Sequence, residues 1–252
     1  MLTEERRRRI QEILQTQKRI LVNEIADDFN ISAVTIRKDL EILEKRGVLS
    51  RVHGGAIVNH SSVQDLAVNE KERINVQEKN KIARKAESLI KSGDVIILDS
   101  GSTTTALARH LKFKKDITVI TNAVNIASEL TASEVNVILT GGNLREKSFS
   151  LVGPIAEESL KLITADKLFL GVDGIDFERG LTTPNIMEAK VNRMMIQAAD
   201  EVILLADSSK FGRRSLGVID EVKSVDKLIT DKRVSKSNVA SLENLGIEVI
   251  LA

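Results

Sequence analysis

The sequence predicts an α/β protein in two parts: an N-terminal winged helix-turn-helix followed by a doubly wound, mostly parallel sheet domain. Three observations carry this. Two stretches with apolar residues at helical spacing flank a tight turn between residues 21 and 45. A strand, a glycine pair and a second strand follow at once. From residue 95 onward, short runs rich in β-branched residues alternate with helical patterns to the end of the chain.

In the head, Val22, Ile25, Ala26 and Phe29 recur at i, i+3, i+4 and i+7, so one helical stripe holds them all. Asn30-Ile31-Ser32 is too short for an independent loop and reads as the turn between two helices. Ser32 is a natural N-cap, with a hydroxyl able to accept from the backbone amide of Val34 or Thr35. Ile36, Leu40 and Leu43 share the buried face of the helix it opens, and Gly47 is expected to end that helix. Off this face lie Ala33, Val34, Thr35, Arg37, Lys38 and Glu41. Short side chains at the tip and cations just behind let a helix enter a major groove and reach phosphates or base edges.

An ordinary amphipathic helix pair with a solvated Arg-Lys face is the competing reading. The hairpin decides between them: residues 48–52 form a strand, His53-Gly54-Gly55 a turn, and residues 56–58 a second strand. Arg51 is expected on the DNA backbone or in a minor groove, and His53 in a backbone-bonding or phosphate role. The candidate DNA-binding set is Ser32, Ala33, Val34, Thr35, Arg37, Lys38, Arg51 and His53, and the expected partner is a double-stranded DNA operator. The run TIRKDLEILEKRGVLSRVHGGA, Thr35 to Ala56, resembles the winged helix-turn-helix of the DeoR family of bacterial transcriptional regulators. RVHGGA is the specific part, because helix-turn-helix segments are shared by many families.

Composition narrows the partners. At 252 residues the chain is long enough for a small DNA-binding module and a larger domain, expected as residues 1–58 and 76–252 with a polar linker at 59–75. Cysteine is absent, which removes disulfides and thiolate metal sites. No run approaches the roughly 18 apolar residues of a membrane span, and residues 1–9 are charged with no apolar stretch behind them, so a cytoplasmic protein is expected. A net charge of +1 does not announce a nucleic-acid binder, so the DNA reading rests on where the cations sit. Arg6 to Arg9 precede Ile10, Ile13 and Leu14 on a first helix, and either touch phosphates or form a solvated face. Six Phe with no Trp or Tyr leave little hardware for stacking single-stranded bases, which favours duplex DNA.

Beyond the linker, Ile82, Ala83, Ala86, Leu89 and Ile90 form a helical stripe expected to end at a capping Gly93. The apolar runs 95–98, 117–120, 135–139, 168–170, 202–205, 228–229 and 247–251 read as buried parallel strands. Helical patterns at 104–111, 123–130, 155–162 and 187–199 separate most of them. In such sheets ligands sit at the carboxyl ends of the strands. Those ends are chemically alike: Asp99, Gly101, Ser102, Thr103 and Thr104 after the first, Thr121 and Asn122 after the second, Gly141, Gly142 and Arg145 after the third, Asp173 and Gly174 after the fourth, and Lys210 after the fifth. Together with Glu188, these are the candidate effector-binding residues. Backbone amides at a helix start hold phosphate, hydroxyls and Asn bond sugar oxygens, and Lys or Arg neutralises the anion. Any single loop of this kind is also what a tight turn requires.

LDSGSTTTALA, ILTGGNLRE, FLGVDGID and LLADSSKFG are similar to the effector-sensing domain of the DeoR family, and that domain resembles ribose-5-phosphate isomerase. The phosphate loop of the isomerase resembles Gly101 to Thr104, and its Asp-Gly motif resembles Asp173-Gly174. The resemblance implies a carbohydrate-metabolism repressor whose effector is a phosphorylated sugar or related metabolite, generally one that relieves repression. A homo-oligomer, dimer or tetramer, is expected, since one short helix reads few base pairs.

The alternative is an aldose-ketose isomerase. Glu188 would move the proton, with Asp99, Asp173, Lys190 and Lys210 nearby. Lys190 points away from Glu188 on an ideal helix, and Glu188 is more simply a carboxylate at a helix N-terminus. No catalytic residue and no cofactor are expected. Nor is a metal, because His53, His60 and His110 offer no ligand spacing.

Overall fold

This computed structural model describes residues 2–17, 19–45, 49–58 and 65–252, which fall into two compact units, Met1–Ser61 and Ser62–Ala252. In the first unit α1 (Thr3–Gln17), β1 (Arg19–Leu21), α2 (Val22–Phe29), α3 (Ala33–Lys45), β2 (Leu49–Val52) and β3 (Gly55–Val58) enclose one core. Ile10, Leu14, Ile25, Ile36, Leu40 and Leu43 fill it. Asn30 ends α2 in the left-handed region, φ 52°, and Ser32 Oγ accepts from Thr35 N at 3.2 Å to start α3. The expected helix end at Gly47 and the strand residue Val48 lie outside the described residues.

The wing is a three-stranded antiparallel sheet in the order β1-β3-β2. Its turn is His53-Gly54, with Gly54 at φ 79°, and Gly55 is a strand residue paired with Leu21 and Val52. A Cβ on Gly55 would stand 2.1 Å from the Ile20 carbonyl oxygen, so this glycine serves close strand approach instead of the turn. The arginine run also differs from expectation. Arg6 is buried and pairs with the buried Asp39 of α3, and Arg7 Nε lies 2.9 Å from Asp39 Oδ1. Those arginines bind α1 to α3, while Arg8 and Arg9 are exposed.

The second unit opens with α4 (Val68–Glu72) and α5 (Val76–Glu87). The expected linker is corrected here: 59–64 lies outside the described residues, while residues from 65 onward fold into the second unit, with Val68 buried. α5 stops at Glu87, ahead of the expected glycine cap, and Gly93 occupies a later turn at φ 88°. Then follow β4 (Val95–Leu98), α6 (Ser102–Leu111), β5 (Thr118–Thr121), α7 (Val124–Leu130) and β6 (Asn136–Leu139). A hairpin, β7 (Asn143–Arg145) and β8 (Ser150–Val152), leads to α8 (Pro154–Lys161) and β9 (Ala165–Gly171). Next come β10 (Gly174–Asp176), β11 (Gly180–Thr183), α9 (Ile186–Gln197) and β12 (Ala199–Leu205). β13 (Gly217–Asp220), β14 (Lys227–Thr230), α10 (Lys236–Asn244) and β15 (Glu248–Leu251) complete the chain.

All seven expected runs lie in one parallel sheet, ordered β15-β14-β12-β9-β4-β5-β6. Strand side chains alternate between its faces. Ile96, Leu98, Phe169, Ile203, Leu205 and Ile229 pack with α5, α6 and α7, whereas Ile97, Leu168, Leu170, Val202, Leu204 and Leu228 pack with α8, α9 and α10. Burial on both faces is why the five inner strands read as continuous apolar runs, whereas the edge strands β6 and β15, also expected to be buried, are half exposed. The chain leaves β4 for β5 and β6 on one side, then returns to β9 on the other. That reversal opens a crevice beyond the carboxyl ends of β4 and β9. The β7-β8 hairpin and the antiparallel β10-β11-β13 sheet were not anticipated. Among the described residues, no helix is long and apolar enough to cross a membrane.

Candidate functional site

The crevice gathers Asp99, Gly101, Ser102, Thr103, Arg145, Asp173, Glu188 and Lys210 into one pocket, joined by Leu66, Val68, Lys71, Lys147, Thr183 and Asn192. β4 delivers Asp99, which is 3% exposed and whose Oδ1 has no hydrogen-bond partner. Burial pushes its carboxyl up to about 7; the Gly171 amide opposes this, and the neighbouring charges of Glu188 and Asp173 add to it. Beside it α6 begins. Thr104 Oγ1 accepts from Gly101 N at 2.9 Å and reaches Asp99 O at 2.9 Å, so Thr104 caps the helix and does not line the pocket. The amides of Ser102 and Thr103 have no acceptor within the helix, as at any helix start, an arrangement able to accept an anion.

β9 delivers Asp173. Lys71 Nζ lies 2.7 Å and Lys210 Nζ 3.7 Å from its Oδ1, and Thr183 Oγ1 donates to Oδ2 at 3.4 Å. Burial works against this charge, yet the two ammonium groups prevail and hold the carboxyl below the usual carboxylate range. Glu188 accepts from Ser150 Oγ at 2.8 Å and from Arg145 Nη1 at 3.2 Å. The start of α9 is capped by Asn185, whose Oδ1 accepts from Met187 N at 2.9 Å and Glu188 N at 3.1 Å. Glu188 stands in the first turn of α9, as expected of a helix N-terminal carboxylate, and its buried side chain also lines the pocket. Lys190 turns away and pairs with Glu157 at 2.7 Å.

Thr121, Asn122, Gly141, Gly142 and Gly174 do not line the pocket. Thr121 Oγ1 donates to Leu98 O at 2.7 Å, tying β5 to β4, and Asn122 Nδ2 donates to Leu151 O at 3.2 Å. Gly141 and Gly142 have φ of 75° and 123°, and a Cβ on Gly142 would stand 2.8 Å from Val152 O. On Gly174 a Cβ would stand 2.3 Å from Arg213 O. These positions support the loops that carry the pocket.

Sequence reasoning missed Lys71, because its segment has no periodicity. It also missed Lys79, which is buried on α5 and donates to Ile74 O and, at 2.9 Å, to Lys71 O. Burial lowers Lys79 to about 8. Among the described residues, no group of three or more His, Cys, Asp or Glu is arranged to hold a metal.

In the first unit Val34 is 68% exposed at the tip of α3, and Ser32, Arg37 and Lys38 are exposed beside it. Ala33 and Thr35 are half-buried, with the Thr35 hydroxyl 2.9 Å from Ser32 Oγ. Arg51 Nε lies 2.7 Å from Glu44 Oε2, which joins wing to helix, and His53 is exposed in the wing turn. Hydrogen bonds from Arg51, backbone first, hold Glu44 below the usual carboxylate range.

A winged helix-turn-helix head on an α/β unit with a charged pocket at its strand ends defines a DNA-binding regulator. Residues 6–62 match the DeoR-like helix-turn-helix domain, and residues 74–232 match the DeoR C terminal sensor domain. The chain is 40% identical over 252 residues to the putative aga operon transcriptional repressor of Escherichia coli O157:H7, covering 99% of this chain and 94% of that one. It is 41% identical over 250 residues to the uncharacterized HTH-type transcriptional regulator YulB of Bacillus subtilis (strain 168), covering 99% and 96%. The chain belongs to the DeoR family of transcriptional regulators, and the isomerase alternative is set aside. A ribose 5-phosphate isomerase from Methanocaldococcus jannaschii aligns over 54% of this chain and 55% of its own, at 21% identity and a TM-score of 0.42.

Proposed function

We propose that the chain is a repressor whose hold on a duplex operator weakens when a phosphorylated sugar occupies the pocket. The observation that carries this reading is the Asp99 carboxylate, buried with Oδ1 unpartnered in a pocket that also presents the α6 amides and the Arg145, Lys71 and Lys210 cations. Cations and amides suit the phosphate, and Asp99, Asp173 and Glu188 suit the hydroxyls. Arg37 and Lys38 meet the duplex, with two or more subunits spanning adjacent half-sites. The domains divide as a DNA-binding head and an effector-sensing α/β unit, in a cytoplasmic protein.

The test is a thermal-shift screen of pentose and hexose phosphates against the same sugars without phosphate, then gel shift with each hit. A phosphorylated sugar should raise the melting temperature and loosen the operator complex, and Ser102→Glu should abolish both effects while leaving operator binding intact. A panel without a single stabilising phosphate would end this reading.

A further inference from the structure

Arg145 is held from several sides. Its Nη1 donates to Ser148 Oγ at 3.1 Å and to Glu188 Oε1 at 3.2 Å, and its Nη2 donates to Asp65 Oδ2. Lys147 grips the same aspartate twice, with Nζ 3.4 Å from Oδ2 and 3.1 Å from the Asp65 carbonyl. The two acidic partners of Arg145 differ. Glu188 is 7% exposed at the start of a sheet-packed helix, whereas Asp65 is 32% exposed on the segment that leads into α4. This segment closes one side of the pocket. Leu66 and Val68 line it, Val68 N donates to Lys147 O at 2.7 Å, and Lys71 reaches Asp173.

We infer that Arg145 and Lys147 form an anion subsite filled by the chain's own Asp65, and that a ligand phosphate takes these cations and displaces Asp65 with the short stretch 65–67 ahead of α4, leaving Lys71 on Asp173. This rests on the reading that the pocket takes a phosphorylated sugar. Phosphate is the stronger claimant, since it carries up to two charges and three acceptor oxygens, against one charge and two oxygens on a carboxylate. Lys71 and Lys210 are less available, because losing them would strand the charge of the more deeply buried Asp173. Mutual exclusion at Arg145 is a coupling: whatever binds there releases the segment, and whatever seats the segment weakens binding. Residue 65 stands near the start of the second unit, so occupancy is registered close to where the chain enters that unit.

The experiment uses the full chain, with inorganic phosphate as the probe, calorimetry for affinity, and hydrogen exchange by mass spectrometry over peptides that contain residues 65–67. Phosphate should speed exchange there in the wild type. Asp65→Asn should exchange fast without phosphate and should bind phosphate roughly tenfold more tightly, because the internal competitor is gone. Slower exchange on adding phosphate would mean that the segment closes on the anion, and would overturn the inference. Equal phosphate affinities for the two chains would overturn it as well, and if sugar phosphates still bind, the functional reading survives. If neither phosphate nor any sugar phosphate binds either chain, that reading fails and takes the inference with it.

Discussion

Lys71 Nζ lies 2.7 Å from Asp173 Oδ1, so an ammonium group from the segment before α5 neutralises a carboxylate at the end of β9. Lys71→Met should destabilise the second unit by about 2 kcal/mol at neutral pH, below the ~3–5 kcal/mol of a fully stripped buried pair, because Lys210 remains. The sign with pH follows from Asp173, whose folded pKa is depressed despite burial. Its stabilising contribution is present above the unfolded carboxyl's pKa of about 4 and is lost as pH falls through the lower folded value. The deficit of the variant should therefore shrink in acid. Urea unfolding followed by far-UV circular dichroism at neutral and acid pH reads this out, and an equal deficit at both would assign the effect to packing.

Asp99 has the opposite linkage. Burial raises its folded pKa to about 7, so between roughly pH 4 and 7 the folded chain holds a proton that the unfolded chain has released. Stability from this group falls as pH rises through that window. Asp99→Asn, which stays neutral, should melt higher than the wild type near pH 8, and the difference should fade toward pH 4. A constant difference across the range would show that Asp99 does not titrate there.

The five inner strands of the seven-stranded sheet were legible because both of their faces are covered, which yields continuous apolar runs, while the edge strands β6 and β15 read as apolar although they are half exposed. The wing strand β1 and the β10-β11 pair were not legible, since strands of only three or four residues carry no usable period. Strand-end polarity located the pocket but could not apportion it. Thr121 and Asn122 donate to the Leu98 and Leu151 carbonyls away from the pocket, and although Asn122 and Asp99 each keep one buried oxygen without a partner, only Asp99 lines the pocket. Lys71, Lys147 and Asp65 meet their partners through the fold, and no sequence spacing encodes those distances.

Glycine at a strand end is equally ambiguous between ligand approach and backbone approach, and the structure separates the two by clearance. Gly174→Ala would place Cβ 2.3 Å from Arg213 O and 2.6 Å from Thr182 Oγ1. The neighbour in the way is backbone, so the loop bearing Asp173 must shift, and a loss of about 1–3 kcal/mol is expected. Gly55→Ala should act similarly on the first unit, where the obstacle is the Ile20 carbonyl. Thermal unfolding checks both, and a Gly174→Ala chain of unchanged stability would return that glycine to the ligand.

Arg6 and Arg37 carry the same charge in the same unit and should fail differently. Arg6 is buried against Asp39, whose carboxylate also takes Arg7, whereas Arg37 is exposed on α3 with no carboxylate partner among the described residues. Asp39→Ala would leave a buried arginine uncompensated, and should destabilise the head by about 3–5 kcal/mol. Arg37→Ala should leave unfolding unchanged and weaken binding to an operator selected from a random duplex pool. The weakening should be ~1–3 kcal/mol with relaxed specificity if Arg37 reads a base; if it meets a phosphate, the salt slope should fall by about one. Gel shifts across a salt series separate these outcomes. An Arg37→Ala chain with wild-type affinity and slope would place the duplex elsewhere on the head.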